Sequence, residues 1–236
     1  YFGESEGLPR HYINGPSHVN DYLDTIQYVK RLQGIDSNRI CLWGSSYSGG
    51  HVLVAASKNS NDIKAVISQM PFLGAMKSES KFDELKKRGF INVLIGFYGY
   101  IAGNFRYLLN NKDELYLKLF SSKNGKEFAL NYWENIGSNE QEWVNKHPKQ
   151  RNDDFRNAFL IRGLLGLLTY KPIDIIDKIS SNIKVLYIIA EQDVICPNNR
   201  IEFAAKNTKN AELIRVDSGH FTIYSGKAFD FSIQSQ

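Results

Sequence analysis

A run of small residues between two apolar segments is the part of this sequence best suited to chemistry. Residues 39–43 read Arg-Ile-Cys-Leu-Trp and predict a short strand, residues 44–50 read Gly-Ser-Ser-Tyr-Ser-Gly-Gly, and residues 52–56 suit a helix. A tight turn between a strand and a helix can hold a serine hydroxyl above a sheet, and only small neighbours fit around it. The N-terminus of the helix would then lie beneath a developing oxyanion. We therefore predict a nucleophilic serine in this turn.

Two serines of the turn fit the Gly-x-Ser-x-Gly pattern in overlapping frames. With Ser46 as nucleophile, Gly44 precedes it by two residues and Ser48 replaces the last glycine; with Ser48 as nucleophile, Ser46 replaces the first glycine. We prefer Ser46, because its frame keeps a glycine directly after the strand, where crowding is greatest. A strict match surrounds Ser5, in Gly-Glu-Ser-Glu-Gly. We reject Ser5, because no apolar helix follows it and its two glutamates would oppose a developing oxyanion.

A serine nucleophile needs a general base, and the base needs a carboxylate to orient it. In this kind of sheet the acid and then the histidine follow the serine along the chain, each on a loop after a strand. Asp193 follows the apolar segment 185–190, and His220 follows a further strand-like segment near the end of the chain. Glu191 and Asp217 are the reserve acids, although Asp217 is too near His220 in sequence to orient it easily. The sequence therefore predicts a Ser-Asp-His triad.

The other histidines have simpler interpretations. His51 lies five residues after Ser46 on the predicted helix. There a packed histidine is the favoured interpretation, and support of the site by a hydrogen bond is the alternative. His11, His18 and His147 have no strand-end context, and we predict that they lie at the surface.

The elements that must position these residues alternate between helix and strand. Helices are predicted from Ser17 to about Gln33, from the serine turn to about Lys58, from Pro197 to about Lys206, and over a short segment at the end of the chain. Strands are predicted at Ile40–Trp43, Ile63–Gln69, Ile183–Ala190 and Ala211–Val216. Such alternation is typical of parallel β-α-β units, so the predicted fold class is α/β with a mostly parallel sheet.

The alternation stops between residues 72 and 182. This segment of about 110 residues is rich in aromatic residues and is too long for a loop. We predict a largely helical cap or lid over residues 72–182, inserted between two parts of an α/β core, 1–71 and 183–236. Phe72 and Phe221 are the predicted substrate-binding residues. The aromatic cap suggests an apolar or aromatic group in the substrate.

Composition argues against several other classes of protein. The 236 residues carry a scattered net charge of +4, which does not favour a nucleic-acid surface. Cys41 and Cys196 predict packing or incidental roles rather than a disulfide, which favours a reducing, cytoplasmic setting. Cys/His spacings typical of zinc sites do not occur, so neither a metal nor another cofactor is predicted.

One uncharged stretch is at the lower limit of membrane-span length. It runs from Gly89 to Phe105 and contains Asn92 and Asn104 together with several glycines. A buried or pocket-lining segment is therefore the preferred interpretation. We expect a small-molecule substrate and no nucleic-acid or membrane partner, and the oligomeric state is left open.

Motifs over most of the chain resemble the α/β-hydrolase superfamily, and more narrowly a bacterial branch of uncharacterised hydrolases related to dienelactone hydrolases and acetyl xylan esterases. The matching segments are residues 1–10, 42–50, 64–71, 170–172, 190–193 with Pro197, and 219–224. The resemblance implies that Ser46 is the nucleophile, Asp193 the acid and His220 the base. It does not specify a substrate.

Members of that superfamily have several strands before the segment corresponding to residues 1–7. One of the missing loops supplies half of the oxyanion hole, so the backbone N–H of Tyr47 is the donor available here and the second donor is absent from this chain. We therefore expect the sequence to be truncated at its N-terminus, which would leave a sheet edge exposed. We also expect it to stop inside its last helix.

The expected function is a serine hydrolase that cleaves a carboxylic ester of a small, apolar substrate through an acyl-enzyme. An amidase, peptidase or thioesterase with the same triad is an alternative, because leaving-group specificity depends on the pocket. A non-catalytic protein of the same fold that binds a small ligand is another. An intact triad argues against this last alternative, whereas the missing oxyanion loop favours it.

Overall fold

The structure, a computed structural model, describes residues 1–74, 90–109, 114–121, 129–132 and 157–236. In chain order, the helices and strands of these residues are α1 (Gly15–Val29), β1 (Ile40–Ser45), α2 (Tyr47–Lys58), β2 (Ile63–Gln69), α3 (Phe90–Leu108), β3 (Tyr116–Ser121), β4 (Ala129–Tyr132), β5 (Phe159–Leu160), α4 (Leu164–Thr169), β6 (Lys184–Ala190), α5 (Asn198–Asn207), β7 (Ala211–Val216) and α6 (Gly226–Gln234). Short 3₁₀ helices span Ile161–Gly163, Pro172–Lys178 and Thr222–Tyr224.

The described residues divide into two units. The core unit contains those of Gly15–Met76 and Tyr170–Gln236, and the second unit contains those of Tyr1–Asn14 and Lys77–Thr169. The predicted cap over residues 72–182 and its boundaries with the α/β core stay a prediction.

Four parallel strands form the sheet of the core unit, in the order β1-β2-β6-β7. Val66 in β2 lies opposite Leu42 in β1 and Val185 in β6, which sets the register across the sheet. Because the strands are parallel, their carboxyl ends meet at one edge, where loops after β1, β6 and β7 can bring side chains together. The predicted α/β fold class is confirmed.

Strand β6 is buried on both faces, as its nearly continuous apolar sequence predicts. Val185, Tyr187 and Ile189 pack in one apolar cluster, which also contains residues of α1, α2 and α5. Ile188 and Ala190 pack in another, against part of α6. Alternate side chains of a strand point to opposite faces of the sheet, so helices cover both faces of the strand that precedes Asp193.

Helix α1 differs from its predicted bounds at both ends. It begins at Gly15 rather than Ser17 and ends at Val29 rather than Gln33. After Val29 the N–H groups of Arg31 and Leu32 donate to carbonyls three residues back, so the chain tightens into turns where apolar periodicity alone predicted more helix.

The second unit contains strands that the sequence did not predict. Strand β3 pairs with β4 in parallel and with β5 in antiparallel orientation. Arg162, after β5, forms an ion pair with Glu114 and stacks 4.1 Å from the centre of the Tyr107 ring. These strands are short, so their apolar residues do not establish a period that a sequence pattern would reveal.

Helix α3 contains most of the uncharged stretch of the sequence. One face packs closely, since a Cβ atom at Gly99 or Gly103 would lie 2.2 or 2.7 Å from the Ile161 side chain. Phe97 and Tyr98 are exposed, so these two side chains do not fit a buried segment, and the pocket-lining interpretation stays a prediction. Within the described ranges, the helices lack the combination of length and apolar character that crossing a bilayer requires.

Candidate active site

Ser46 occupies the single-residue junction between β1 and α2. Its backbone has φ 57° and ψ −120°, a conformation that is strained for any residue with a side chain. Two hydrogen bonds hold it there: the Ser46 N–H donates to the Gln69 carbonyl at 2.9 Å, and the Phe72 N–H donates to the Ser46 carbonyl at 2.8 Å. The turn is therefore anchored to the end of β2 on both sides of the serine.

Steric crowding explains the small residues around Ser46. A Cβ atom at Gly44 would lie 2.3 Å from the Ser48 carbonyl oxygen, and one at Gly50 would lie 2.3 Å from the Phe72 carbonyl oxygen. Ser48, which replaces a glycine of the common pattern, closes the turn instead. Its hydroxyl donates to the Ser45 carbonyl at 2.9 Å and accepts from the Ser45 N–H at 3.1 Å.

We expect Gly44→Ala to lower the free energy of unfolding by about 3 kcal/mol, because the new methyl group meets backbone that cannot move aside. Gly166→Ala is the matched control: a Cβ there has no neighbour within 4 Å. It should be neutral or stabilising by about 1 kcal/mol or less, because alanine favours helix. Chemical denaturation of both variants checks this, and equal stabilities would contradict the crowding argument.

Ser46, His220 and Asp193 form a continuous chain of hydrogen bonds. Ser46 Oγ lies 3.0 Å from His220 Nε2, and His220 Nδ1 lies 2.7 Å from Asp193 Oδ2. The other carboxylate oxygen, Oδ1, accepts from the backbone N–H groups of Ile195 at 2.7 Å and Cys196 at 3.0 Å. His220 and Asp193 are buried. The fold thus brings together the three predicted triad residues from three separate loops.

The alternatives considered from sequence lie elsewhere. Glu191 and Asp217 are exposed, and Asp217 Oδ1 accepts a hydrogen bond from Gln192 Nε2 at 2.7 Å. Ser5 is exposed and is flanked by neither a strand nor a helix. The strict Gly-x-Ser-x-Gly match therefore lacks the strand-turn-helix context that surrounds Ser46.

The predicted oxyanion donor and substrate-binding residues lie next to the triad. Tyr47 is the first residue of α2, where a backbone N–H has no acceptor within the helix. The Phe72 ring lies 5.4 Å from the Tyr47 ring, and the Phe221 ring lies 5.1 Å from the His220 ring. The roles of Phe72 and Phe221 in substrate binding stay predictions.

A cleft of about 560 Å³ opens beside Ser46. One wall comes from α1 and the other from the serine turn and the start of α2. The residues that line it are His18, Asp21, Tyr22, Thr25, Ser45, Ser46, Tyr47, Ser48 and His51. Ser46 is thus the one member of the hydrogen-bonded chain that lines this cleft, and His220 and Asp193 are not among its lining residues.

His51 is a packed, neutral histidine. Its ring lies 4.4 Å from the Tyr47 ring, and Nδ1 lies 2.8 Å from the Tyr170 hydroxyl. Burial lowers the pKa of His51 to about 3, with a further contribution from nearby His18. Burial likewise raises the pKa of Tyr170, so its phenol stays protonated. This agrees with the packed interpretation favoured from sequence.

His18 was predicted at the surface, and this is wrong. It is half-buried, with its ring 5.3 Å from the His51 ring, because its position on α1 faces the start of α2. His11 is also half-buried, and its ring lies 5.5 Å from the Phe2 ring. His147 lies outside the described residues.

We expect His51 to make the protein less stable in acid. Its pKa is about 3 when folded and ordinary when unfolded, so below about pH 6.5 the unfolded chain binds a proton that the folded protein does not. Stability from this residue is present above pH 6.5 and is lost toward pH 3, by up to about 1.4 kcal/mol per pH unit. Chemical denaturation at several pH values gives the free energy of unfolding as a function of pH. His51→Gln should flatten the slope of this dependence between pH 6.5 and pH 3. Tyr170→Phe, which keeps the imidazole buried, should retain it; equal slopes in wild type and His51→Gln would contradict the assignment.

Cys196 lies at the site, although the sequence predicted only a packing or incidental role for it. Its side chain is buried, and its Sγ lies within 4.8 Å of a ligand atom of Asp193 and one of His220. Burial raises the pKa of this thiol, and the negative charge of Asp193 raises it further. The signal in the sequence was its position three residues after Asp193, on the turn whose N–H groups bind the carboxylate.

A second group of residues missed from the sequence ties the serine turn to the histidine loop. Ser45 Oγ lies 2.5 Å from the Tyr224 hydroxyl and accepts from Gln69 Nε2 at 3.3 Å. Ser232 of α6 donates to Gln69 Oε1 at 2.9 Å. Gln69 and Ser232 are buried, so this polar bridge lies directly behind the nucleophile turn.

Comparisons with known proteins agree with the α/β fold of the core unit. A model of the alpha/beta hydrolase fold matches residues 1–227. The quorum-quenching protein AidA of Acinetobacter baumannii (strain MDR-ZJ06) is 29% identical over 236 residues, which cover 100% of this chain and 72% of AidA. A thiohydrolase of Eupenicillium brefeldianum is 22% identical, over 99% of this chain and 71% of its own length. The structure of DcsB in complex with its substrate analogue aligns with a TM-score of 0.76 and 21% identity, over 99% of this chain and 74% of DcsB, which shows a shared fold.

Proposed function

Since the chain belongs to the alpha/beta hydrolase fold family, we propose that it is a serine hydrolase that cleaves a carboxylic ester through an acyl-enzyme. The observation that supports this most directly is the hydrogen-bonded chain from Ser46 through His220 to Asp193. In this chain a hydroxyl, an imidazole and a carboxylate meet in the order that nucleophilic catalysis requires.

In the proposed mechanism, His220 Nε2 accepts the Ser46 proton as Oγ attacks the ester carbonyl. Asp193 Oδ2 accepts the Nδ1–H of His220, which fixes the tautomer that leaves Nε2 able to accept. The imidazolium then donates its proton to the leaving alcohol. Water attacks the acyl-enzyme in the second half of the reaction, with His220 again as the base.

The N-terminus of α2 stabilises the charge that develops on the carbonyl oxygen. The backbone N–H of Tyr47 points out of the first turn, where the helix dipole also favours negative charge. One such donor typically raises kcat by a factor of about 10²–10³.

The cleft beside Ser46 favours a small substrate with an apolar group. The aromatic residues Tyr22 and Tyr47 line it, and Phe72 packs against Tyr47. A neutral His51 adds no charge there, whereas Asp21 contributes a carboxyl group to the lining. An acyl or alcohol group of modest size is therefore the proposed occupant.

Thioester hydrolysis is the second candidate, because the thiohydrolase matches nearly the whole chain. An ester and a thioester of the same acid give the same acyl-enzyme, so the triad alone does not separate them. A panel of p-nitrophenyl esters, a cyclic ester, acyl thioesters and peptide anilides tests this. Preference for thioesters in kcat/KM would replace the ester proposal, and anilide cleavage would indicate an amidase or peptidase.

Labelling with a fluorophosphonate tests the nucleophile. We expect one adduct, mapped by peptide mass spectrometry to Ser46, that forms in folded protein and not after heat denaturation. An adduct at Ser5 or Ser48 would overturn the assignment. If folded protein forms no adduct, the proposal of a serine hydrolase fails, and the alternative of a non-catalytic ligand-binding protein takes its place.

A further inference from the structure

Three different metal-binding side chains converge next to the nucleophile. Cys196, His220 and Asp193 each offer one ligand atom, and these atoms all lie within 4.8 Å of one another. All three residues are buried, with 2%, 5% and 8% of their surfaces exposed. Thiolate, imidazole and carboxylate are the groups that bind zinc in proteins.

We propose that Cys196, His220 and Asp193 form an inhibitory binding site for a thiophilic divalent cation such as Zn²⁺ or Cd²⁺. The ligand atoms around a tetrahedral zinc ion lie about 3.5 Å apart, given bond lengths of about 2.0–2.3 Å. The cluster is close to this size. The contact of 2.7 Å between His220 Nδ1 and Asp193 Oδ2 has to open by about 1 Å, and ligand atoms that lie up to 4.8 Å apart have to approach by a similar amount.

Charge balance favours a divalent cation at this buried position. Bound as thiolate and carboxylate, Cys196 and Asp193 contribute two negative charges, which the cation neutralises without exposure to water. The thiol releases its proton to solvent as the metal–sulfur bond forms, since a coordinating thiol is deprotonated. The N–H groups of Ile195 and Cys196 on Asp193 Oδ1 keep this loop in place.

A route to the site passes through the nucleophile. Ser46 is half-buried and is one of the residues that line the cleft, and its Oγ lies 3.0 Å from His220 Nε2. A water molecule that enters along this route can complete the coordination of the ion.

A bound cation removes the catalytic base whichever nitrogen of His220 it takes, a consequence that rests on the proposed hydrolase function. On Nε2, the ion occupies the lone pair that would accept the Ser46 proton. On Nδ1, it leaves the proton of the neutral ring on Nε2, which then cannot accept another. Either way Ser46 loses its activation.

Titration with Cd²⁺ tests binding without any substrate. We expect an ultraviolet charge-transfer band of a cadmium thiolate that saturates at one ion per chain. The band should persist in Cys41→Ser, which removes the exposed cysteine, and disappear in Cys196→Ser, with thermal unfolding confirming that both variants are folded. In His220→Gln the dissociation constant should rise at least about tenfold, because one of three ligands is lost.

Several outcomes would overturn the site. A band that is lost in Cys41→Ser, or kept in Cys196→Ser, places the ion elsewhere. If His220→Gln binds Cd²⁺ with unchanged affinity, the ion is bound by the cysteine thiolate and His220 is not a ligand.

Inhibition is measured separately, with Zn²⁺ and an ester substrate. Wild type and Cys41→Ser should lose activity at the same Zn²⁺ concentration, and both should regain it when a chelator is added. Cys196→Ser, compared with its own rate without metal, should need at least about ten times more Zn²⁺. Equal sensitivity of Cys196→Ser would refute inhibition through this site. A wild-type protein with the thiolate band but no hydrolysis of any substrate would count against the proposed function and leave the metal site standing.

Discussion

Replacing Ser46 with alanine is expected to lower kcat for an ester substrate by about 10⁴–10⁶-fold. The change removes the only atom that His220 Nε2 activates in the proposed mechanism, while the backbone of the turn keeps its hydrogen bonds to Gln69 and Phe72. The N–H of Tyr47 remains, so a residual rate above that of water is expected. Steady-state kinetics with a p-nitrophenyl ester gives the ratio, and thermal unfolding shows whether the variant is folded.

Ser5→Ala is the matched control for this experiment. Ser5 lies in the strict Gly-x-Ser-x-Gly match, but it is exposed and lies outside the strand-turn-helix context. Its replacement should leave kcat and KM unchanged. If Ser46→Ala retains activity close to wild type, or if Ser5→Ala abolishes it, the assignment of the nucleophile is wrong.

Asp193→Asn is expected to lower kcat by about 10⁴-fold through the wrong histidine tautomer. The two oxygens of Asp193 differ: Oδ1 accepts from the N–H groups of Ile195 and Cys196, and Oδ2 faces His220. In asparagine, the amide oxygen takes the Oδ1 position, so the amide NH₂ faces His220 Nδ1. Nδ1 must then accept a hydrogen bond, and the ring proton moves to Nε2, where it blocks acceptance of the Ser46 proton.

The control is Asp217→Asn, which changes the reserve acid nearest to His220 in sequence. Asp217 is exposed and bound to Gln192, so the variant should keep the wild-type rate. If Asp217→Asn lowers kcat strongly and Asp193→Asn lowers it little, then Asp217 rather than Asp193 is the acid that orients His220. Fluorophosphonate labelling should slow in parallel with kcat in Asp193→Asn, because both reactions need the same activated hydroxyl.

The sheet and the hydrogen-bonded residues could be predicted because their signals are local. Strand β2 has the predicted bounds, Ile63–Gln69, because a short apolar run ends at a proline. Ser46 could be separated from Ser5 by its neighbours alone. Asp193 and His220 each follow an apolar strand, and the chain order of a parallel sheet places such residues at one edge.

Other parts of the site could not be predicted, because they depend on contacts between distant segments. The sequence did not indicate that Cys196 lies close to His220, since the two residues are far apart along the chain and meet through the pairing of β6 with β7. The packing of His18 against His51 depends on how α1 crosses α2. Strands β3 to β5 pair residues whose segments are too short to show a period.

The polar bridge behind the nucleophile turn has a consequence for how the protein acquires activity. Ser45 and Tyr224 are 179 residues apart in sequence, and Gln69 and Ser232 are 163 apart. Contacts between such distant residues require large loops to close, so they form slowly and only after the intervening chain is in place. Helical content can recover during refolding before these contacts exist. The proposed hydrolytic activity should therefore recover only when folding is complete, whereas the helical signal in circular dichroism should recover earlier.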